Sequence, residues 1–203
     1  MKNRLRCDPY NLIIAGVGGQ GNVLASRVLG DMMIHQGYKV TIGETFGASQ
    51  RGGSVMSHLR ISAQGGFSPQ MPEKKAHMVV ALEPMEAIRV LAVYGNPDVR
   101  VLCNTRPIQS VGVICGEQMY PETEQMIKWI TSLAAEAKFF DTTTDALALG
   151  NPIFGNIMAM GALSSTGDLP MSPAVFEQVI KQKVAVDKVA INLKAYKIGK
   201  EMI

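Results

Sequence analysis

The first hydrophobic feature of the chain is an apolar run, Asn11 to Val17, that breaks off in glycines. A continuous run of this length predicts a buried strand. From Gly21 the period changes. Leu24, Val28 and Met32 recur every fourth residue, as do Ala25, Leu29 and Met33. That spacing gives a helix one broad apolar face, and Gly37 supplies a C-terminal stop. Tyr38 to Gly43 predicts a second strand. The chain therefore opens with a strand–helix–strand unit, whose crossover is right-handed in nearly all known sheets.

Glu44 to Gly53 has neither helical nor alternating period and contains Gly47, Gly52 and Gly53, which predicts a loop. Ser54 to Ser62 alternates, with Val55, Ser57, Leu59 and Ile61 on one face and Met56, His58 and Arg60 on the other. This is the pattern of a half-exposed strand. His58 is accordingly expected at the surface or in a hydrogen bond, not as a ligand. No helix separates this strand from its predecessor, so the two need not be parallel. Gln64 to Lys75, with Gly65-Gly66, Pro69 and Pro72, predicts another loop.

The α/β rhythm then resumes. Strands are expected at His77–Leu82, Val99–Asn104 and Lys138–Thr142, with the short apolar run Val111–Cys115 as a further candidate. Helices are expected from Pro84 to about Tyr94, and from Pro121 to about Ala137. A third apolar helical stretch, Asp145 to Ser165, is interrupted at Gly150-Asn-Pro152. Ser172-Pro173 pairs an N-cap with a proline at the first helical position, starting a helix to about Val184, and Asp187 starts the last one. Strands alternating with helices predict an α/β fold, a single three-layer Rossmann-like domain over residues 1–203. Its sheet is expected to be mostly parallel, with helices on both faces. No repeat and no linker divides the chain.

Composition narrows the chemistry. Hydrophobic residues make up 47% of 203 residues and charged residues 18%, enough apolar material for a sizeable core. A net charge of +3 without basic runs does not point to nucleic acid. The apolar runs fall short of the ~20 residues of a membrane span, and no signal peptide opens the chain, so a cytoplasmic location is expected. The three cysteines, Cys7, Cys103 and Cys115, are far apart. An iron–sulfur cluster usually needs four thiolates, and a structural zinc site needs clustered Cys and His. His35, His58 and His77 are equally scattered, so no metal site and no catalytic acid–base set is expected in this chain. Cys103 and Cys115 lie in apolar segments and are expected to be inert core thiols.

The sharpest local signal is Gly16-Val-Gly18-Gly19-Gln20-Gly21, a Gly-x-Gly-x-x-Gly pattern between strand and helix. Gly16 suits the tight turn, Gly18 a close approach of backbone to ligand, and Gly21 close helix packing. Amides at such a helix start can hold an anion. Glu44, 23 residues after Gly21, lies where a dinucleotide-binding fold places its ribose acid. A free-standing NAD(P)- or flavin-binding oxidoreductase is one reading, and a turn that serves packing alone is another. The missing helix after the second strand counts against an ordinary dinucleotide enzyme. A second cluster, Gln50-Arg51-Gly52-Gly53, sets a guanidinium beside a glycine pair. It suits a phosphate or carboxylate, or else Arg51 is a solvated loop residue.

Together these segments resemble a family. Ile14 to Arg27, followed by Gly47 to Arg60, is similar to the gamma subunit or domain of 2-oxoacid:ferredoxin oxidoreductases. Within that family it is most similar to the small (beta) subunit of the indolepyruvate enzymes. Pairing Gly-Gly-Gln-Gly with Gln-Arg-Gly-Gly is more specific than either motif alone. The similarity continues through Ala81–Ala87, Asn104–Ile108 and Gly150–Asn156. The resemblance implies a single gamma-type domain in a heteromeric enzyme. That enzyme decarboxylates a 2-oxoacid, here an aryl pyruvate, on thiamine diphosphate, passes the acyl group to coenzyme A and sends electrons through iron–sulfur clusters to ferredoxin. The thiamine diphosphate and the clusters are expected in a larger partner subunit, and no Gly-Asp-Gly thiamine motif occurs here. The resemblance also links this domain to coenzyme A access. It makes Gly16, Gly18, Gly19, Gln20, Gly21, Gln50, Arg51, Gly52 and Gly53 the candidate contacts to coenzyme A or to the partner. A purely structural interaction subunit is the remaining reading. Without its partner the chain is expected to expose an apolar patch, with Ile153–Leu163 as one candidate against a buried helix, and a homodimer could cover it.

Overall fold

The computed structural model describes residues 5–47 and 52–203. Its centre is β1 (Tyr10–Val17), buried along its whole length. The six-stranded sheet has the order β2-β3-β1-β4-β5-β6, with β2 at Lys39–Phe46, β3 at Ser54–Ser62, β4 at Met78–Ala81, β5 at Arg100–Asn104 and β6 at Glu136–Phe140. β1 pairs in parallel with β4, and β4, β5 and β6 continue in parallel. β3 runs antiparallel to both β1 and β2. The sheet is thus mostly parallel with one reversed strand, β3, which follows its neighbour β2 with no helix between them.

Helices cover both faces, as a single three-layer α/β domain requires. On one face, α1 (Asn22–His35), α6 (Gly155–Ser165), α7 (Pro173–Lys183) and α8 (Val186–Lys200) pack over Leu12, Ile14, Leu59 and Ile61. On the other, α2 (Pro84–Tyr94) and α4 (Thr123–Leu133) close over Ile13, Ala15, Val79 and Val101. Local chemistry sets the helix ends. Glu83 caps α2 by accepting from the Glu86 amide, and Ser172 caps α7 through the Val175 amide. α1 ends in a Schellman turn, with the Tyr38 amide on the Met33 carbonyl, the Gly37 amide on that of Ile34 and Gly37 at φ 83°. α6 and α8 meet backbone to backbone. A Cβ at Gly199 would lie 1.9 Å from the Met158 carbonyl oxygen, and one at Gly161 would lie 2.1 Å from that of Tyr196. α6 is buried from Gly155 to Leu163, so most of the Ile153–Leu163 stretch is core, with Ile153 and Phe154 half-buried before it.

Several expectations change. Val111–Cys115 is not a strand. It forms a short helix, α3 (Val111–Ile114), capped by Ser110 and without a buried residue. The segment lies in the connection between β5 and β6 and joins neither edge of the sheet, so its β-branched residues gain no strand packing. Cys115 is consequently exposed, while Cys103 is buried in β5. The strand before residue 141 starts earlier than expected, at Glu136, and α4 ends at Leu133. β2 extends to Phe46, so Glu44 belongs to a strand and not to a loop. β3 is not half-exposed. Its neighbours are β1 and β2, and both its faces are covered. His58 is 1% exposed, edge-on to the Tyr94 ring at 5.0 Å, and neither ring nitrogen has a hydrogen-bond partner among the described residues. Alternation signals one solvated face only where nothing packs on it. Here Tyr94 and the 64–75 connection, which lays Pro69 on Gly43 beside His58 in the sheet, cover that face.

Candidate functional site: two glycine loops on the carboxyl edge

β1 ends at Val17 and α1 begins at Asn22, so the first glycine loop lies at the carboxyl edge of the parallel strands. The second approaches the same edge because β3 starts there, at Ser54, opposite Val17. The two loops are bonded to each other. The Gly18 amide donates to the Gly53 carbonyl at 2.8 Å, and the Gly52 amide donates to the Gly18 carbonyl at 3.4 Å. Gly47 donates to the Ser54 carbonyl at 2.7 Å and closes the neck of the second loop. Gly16, Gly18, Gly19, Gln20, Gly21, Gly52 and Gly53 are thus brought together. Gln50 and Arg51 lie outside the described residues.

The glycines are required for different reasons. Gly21 combines φ 83° with a position where a Cβ would lie 2.0 Å from Asn156 Nδ2. Asn156 reaches there because its side-chain amide donates to the Gly21 carbonyl at 3.2 Å. At Gly16 a Cβ would meet Gln20 Oε1 at 2.6 Å and Asn22 Oδ1 at 2.9 Å. Gln20 itself is an internal strut. Its Oε1 accepts from the Val17 amide at 2.7 Å, and its Nε2 donates to the Leu82 carbonyl at 2.8 Å. Asn22 ties the loop to β3 by donating to the Val55 carbonyl at 3.0 Å.

A second layer of polar residues fixes this edge from behind. Ser54 donates its hydroxyl to Glu86 at 2.5 Å, and Arg89 pairs with the same carboxylate at 2.8 Å. Glu83, 1% exposed, accepts from the Glu86 amide, from the Ile108 amide and from the Tyr120 hydroxyl. Burial pushes the Glu83 carboxyl up, against the pull of these donors. Burial and the Glu83 carboxylate push the Tyr120 hydroxyl up in turn. Asn104 donates to the Leu82 carbonyl at 3.1 Å and accepts from the Thr142 amide at 3.0 Å. Pattern reading of motifs missed Ser54, Glu83, Glu86, Asn104, Tyr120 and Asn156 as parts of one site. Their only sequence signal is that all but Tyr120 lie in the segments carrying the family resemblance.

In front of the loops is a cavity of about 700 Å³. Val17, Val23 and Val55 line it along with the glycines, and Phe46, 60% exposed, stands with Gly47 at its wall. Such a volume suits a small-molecule ligand or a segment of a partner. Glu44 is not placed as a ribose acid next to β1. β3 lies between β2 and β1, with Glu44 opposite Ser57 and Ser57 opposite Ile14. Two interstrand spacings put it on the order of 10 Å from β1.

The donor set does not fit an iron–sulfur cluster. Cys7 lies before β1, Cys103 inside β5 and Cys115 at the exposed end of α3. Burial pushes the Cys103 thiol far up. Among the described residues no group of three His, Cys, Asp or Glu could hold a metal ion. No helix among them is long and apolar enough to cross a membrane.

The chain is similar to known proteins over almost its whole length. The indolepyruvate oxidoreductase subunit IorB of Pyrococcus horikoshii is 38% identical, across 96% of this chain and 98% of its own. The keto/oxoacid ferredoxin oxidoreductase gamma subunit of Geobacter sulfurreducens shares the fold with a TM-score of 0.67 at 21% identity, covering 95% of this chain and 96% of that one. A 2-oxoglutarate:ferredoxin oxidoreductase from Magnetococcus marinus, solved with 2-oxoglutarate, coenzyme A and succinyl-CoA bound, shares it with a TM-score of 0.72 at 18% identity. That match covers 96% of this chain and 31% of the longer one. The family model described as pyruvate ferredoxin/flavodoxin oxidoreductase matches residues 11–202. With its paired glycine loops on the carboxyl edge, the chain belongs to the pyruvate ferredoxin/flavodoxin oxidoreductase family.

Proposed function

We propose that this chain is the small, non-redox subunit of a heteromeric 2-oxoacid:ferredoxin oxidoreductase acting on indolepyruvate and related aryl pyruvates. The relative from Pyrococcus horikoshii, an indolepyruvate oxidoreductase subunit, supports the substrate class. The larger partner supplies thiamine diphosphate, which carries the decarboxylation, and the iron–sulfur clusters that pass electrons to ferredoxin. This chain supplies neither, in keeping with its scattered thiols.

Its own contribution is a wall at the mouth of the active site, where coenzyme A and the larger subunit meet. The observation carrying this reading is the bonding of the two glycine loops into one surface beside the 700 Å³ cavity. The coenzyme A bound to the Magnetococcus marinus enzyme is consistent with it. Gly18 and Gly52 hydrogen-bond to each other's segments, so an anion would rest on the remaining loop amides and on Arg51. A structural subunit whose loops contact only the partner is the second reading, favoured by that same engagement of amides.

Co-expression with the larger subunit tests both. The complex should reduce ferredoxin or a viologen with indolepyruvate or phenylpyruvate in a coenzyme A-dependent way. Arg51→Ala should raise the KM for coenzyme A. An unchanged KM with intact assembly favours the structural reading. No turnover with any of indolepyruvate, phenylpyruvate, pyruvate or 2-oxoglutarate overturns the enzyme assignment.

A further inference from the structure

The opposite, amino edge of the sheet carries a second cavity, of about 420 Å³, with different chemistry. β1 has eight residues, so this edge lies roughly 20–25 Å from the glycine loops. Arg6, Lys74 and Lys75 line the cavity together with His77. None of the three cations has an ion-pair partner among the described residues. Asp168, also on the wall, is already neutralised. It accepts from the Tyr10 hydroxyl at 2.8 Å and from Arg100 at 2.5 Å. Asp98 is the other carboxylate lining the cavity.

Two details indicate a built site and not a chance gathering of lysines. His77 Nδ1 accepts from the Asn11 amide at 2.9 Å. That bond fixes the neutral tautomer with its proton on Nε2, so the ring is a hydrogen-bond donor even when uncharged. Burial, then Arg6 and Lys75, hold its imidazole below the usual histidine range, which places both cations within electrostatic reach of the ring. Lys74 has φ 57°, the left-handed conformation that a lysine adopts at a cost, and it is the only non-glycine residue among those described that does so. Strain of this kind persists where the surroundings enforce it and gathers at ligand clamps.

We propose that this amino-edge cavity binds the phosphoryl group of a small molecule, with Arg6, Lys74 and Lys75 supplying charge and His77 Nε2–H a directed donor. A phosphate accepts at every oxygen, so it matches a wall whose unpaired groups are mainly donors. The cavity's volume lies in the small-molecule range, which favours a compact ligand over an acidic protein surface.

The test uses the full chain and follows the His77 imidazole by NMR, assigned with His77→Gln. Inorganic phosphate and AMP are titrated separately. Either ligand should shift the His77 signals and raise its titration midpoint, because a nearby anion favours the charged ring. Tighter binding of AMP than of phosphate identifies a nucleotide, and equal binding identifies free phosphate. Lys74→Gln/Lys75→Gln should weaken binding about tenfold or more, since each charged hydrogen bond contributes substantially. Lys74→Gly should raise the thermal midpoint by relieving the left-handed backbone while weakening phosphate binding. A purely structural lysine would not show that opposition. His77 signals unmoved by both ligands, or moved equally in the double variant, would overturn the proposal. So would a response confined to an acidic polypeptide such as polyglutamate.

Discussion

The Gly18 amide and the Gly53 carbonyl are 2.8 Å apart, so residues 35 positions distant in sequence form one rung of backbone. The geometry of either loop is therefore set partly by the other. A perturbation in one should be felt in both.

Gly21 should be the least replaceable glycine of the first loop. Gly21→Ala meets both a left-handed backbone and Asn156 Nδ2 at 2.0 Å, whereas a Cβ at Gly19, φ 108°, meets nothing within 4 Å. Left-handed strain costs roughly 1–3 kcal/mol at either position, and the clash adds to it only at Gly21. Urea unfolding of the two variants should show a distinctly lower midpoint for Gly21→Ala.

Ser54 and Glu86 should act as a pair. Ser54→Ala leaves a buried carboxylate short of one donor, a loss of about 1–3 kcal/mol. Ser54→Thr keeps the hydroxyl and should retain most of that stability. In the assembled enzyme, Ser54→Ala should raise the coenzyme A KM more than it lowers kcat, and steady-state kinetics at saturating oxoacid measure the split.

The excursion from Ile108 to Tyr120 stands with both feet on Glu83. Tyr120→Phe removes one of them. Amides 109–119 should then exchange with deuterium about five- to tenfold faster, corresponding to ~1 kcal/mol of lost hydrogen bonding. Exchange in β1 should be unaffected. Equal acceleration everywhere would mean that the contact supports global stability instead.

His58 predicts acid sensitivity. Burial holds its imidazole below the usual histidine range. The unfolded chain therefore binds a proton that the folded chain refuses as pH falls below about 6.5. Stability is fully present above that pH and is lost as pH drops toward the folded-state value, by up to ~1.4 kcal/mol per unit. His77 is shifted the same way, so His58→Phe should leave a shallower slope and not a flat one. At neutral pH His58→Phe should be neutral or stabilising, since it removes two unpaired ring nitrogens. Unfolding midpoints from pH 5 to 8 check both statements.

Most elements were legible because their signals are local. The i, i+4 apolar repeats of α1 and the Ser172-Pro173 cap of α7 act within a few residues, and both appear as expected. Val111–Cys115 and His58 were misread because propensity and alternation carry no information about neighbours. One segment stays outside the sheet as a short exposed helix, and the other is covered by residues far along the chain. The glycine motif located the site, but its scaffold was not legible. Glu83 meets Tyr120 across 37 positions and Gly21 meets Asn156 across 135, and no sequence spacing encodes such contacts.

The reversed strand β3 has one more consequence. In open nucleotide-binding sheets the ligand enters a crevice beside the carboxyl end of the first strand, where successive crossovers depart in opposite directions. Here β1 still has that divergence, with β2 reached on one side and β4 on the other. β3 returns along β1 in the neighbouring position, and Gly53, just before it, accepts from the Gly18 amide. The chain's own backbone thus takes up the Gly18 amide, which a bound ligand would otherwise meet, while the cavity in front of the loops stays open. Whatever occupies that cavity therefore meets a wall whose shape two loops distant in sequence set together.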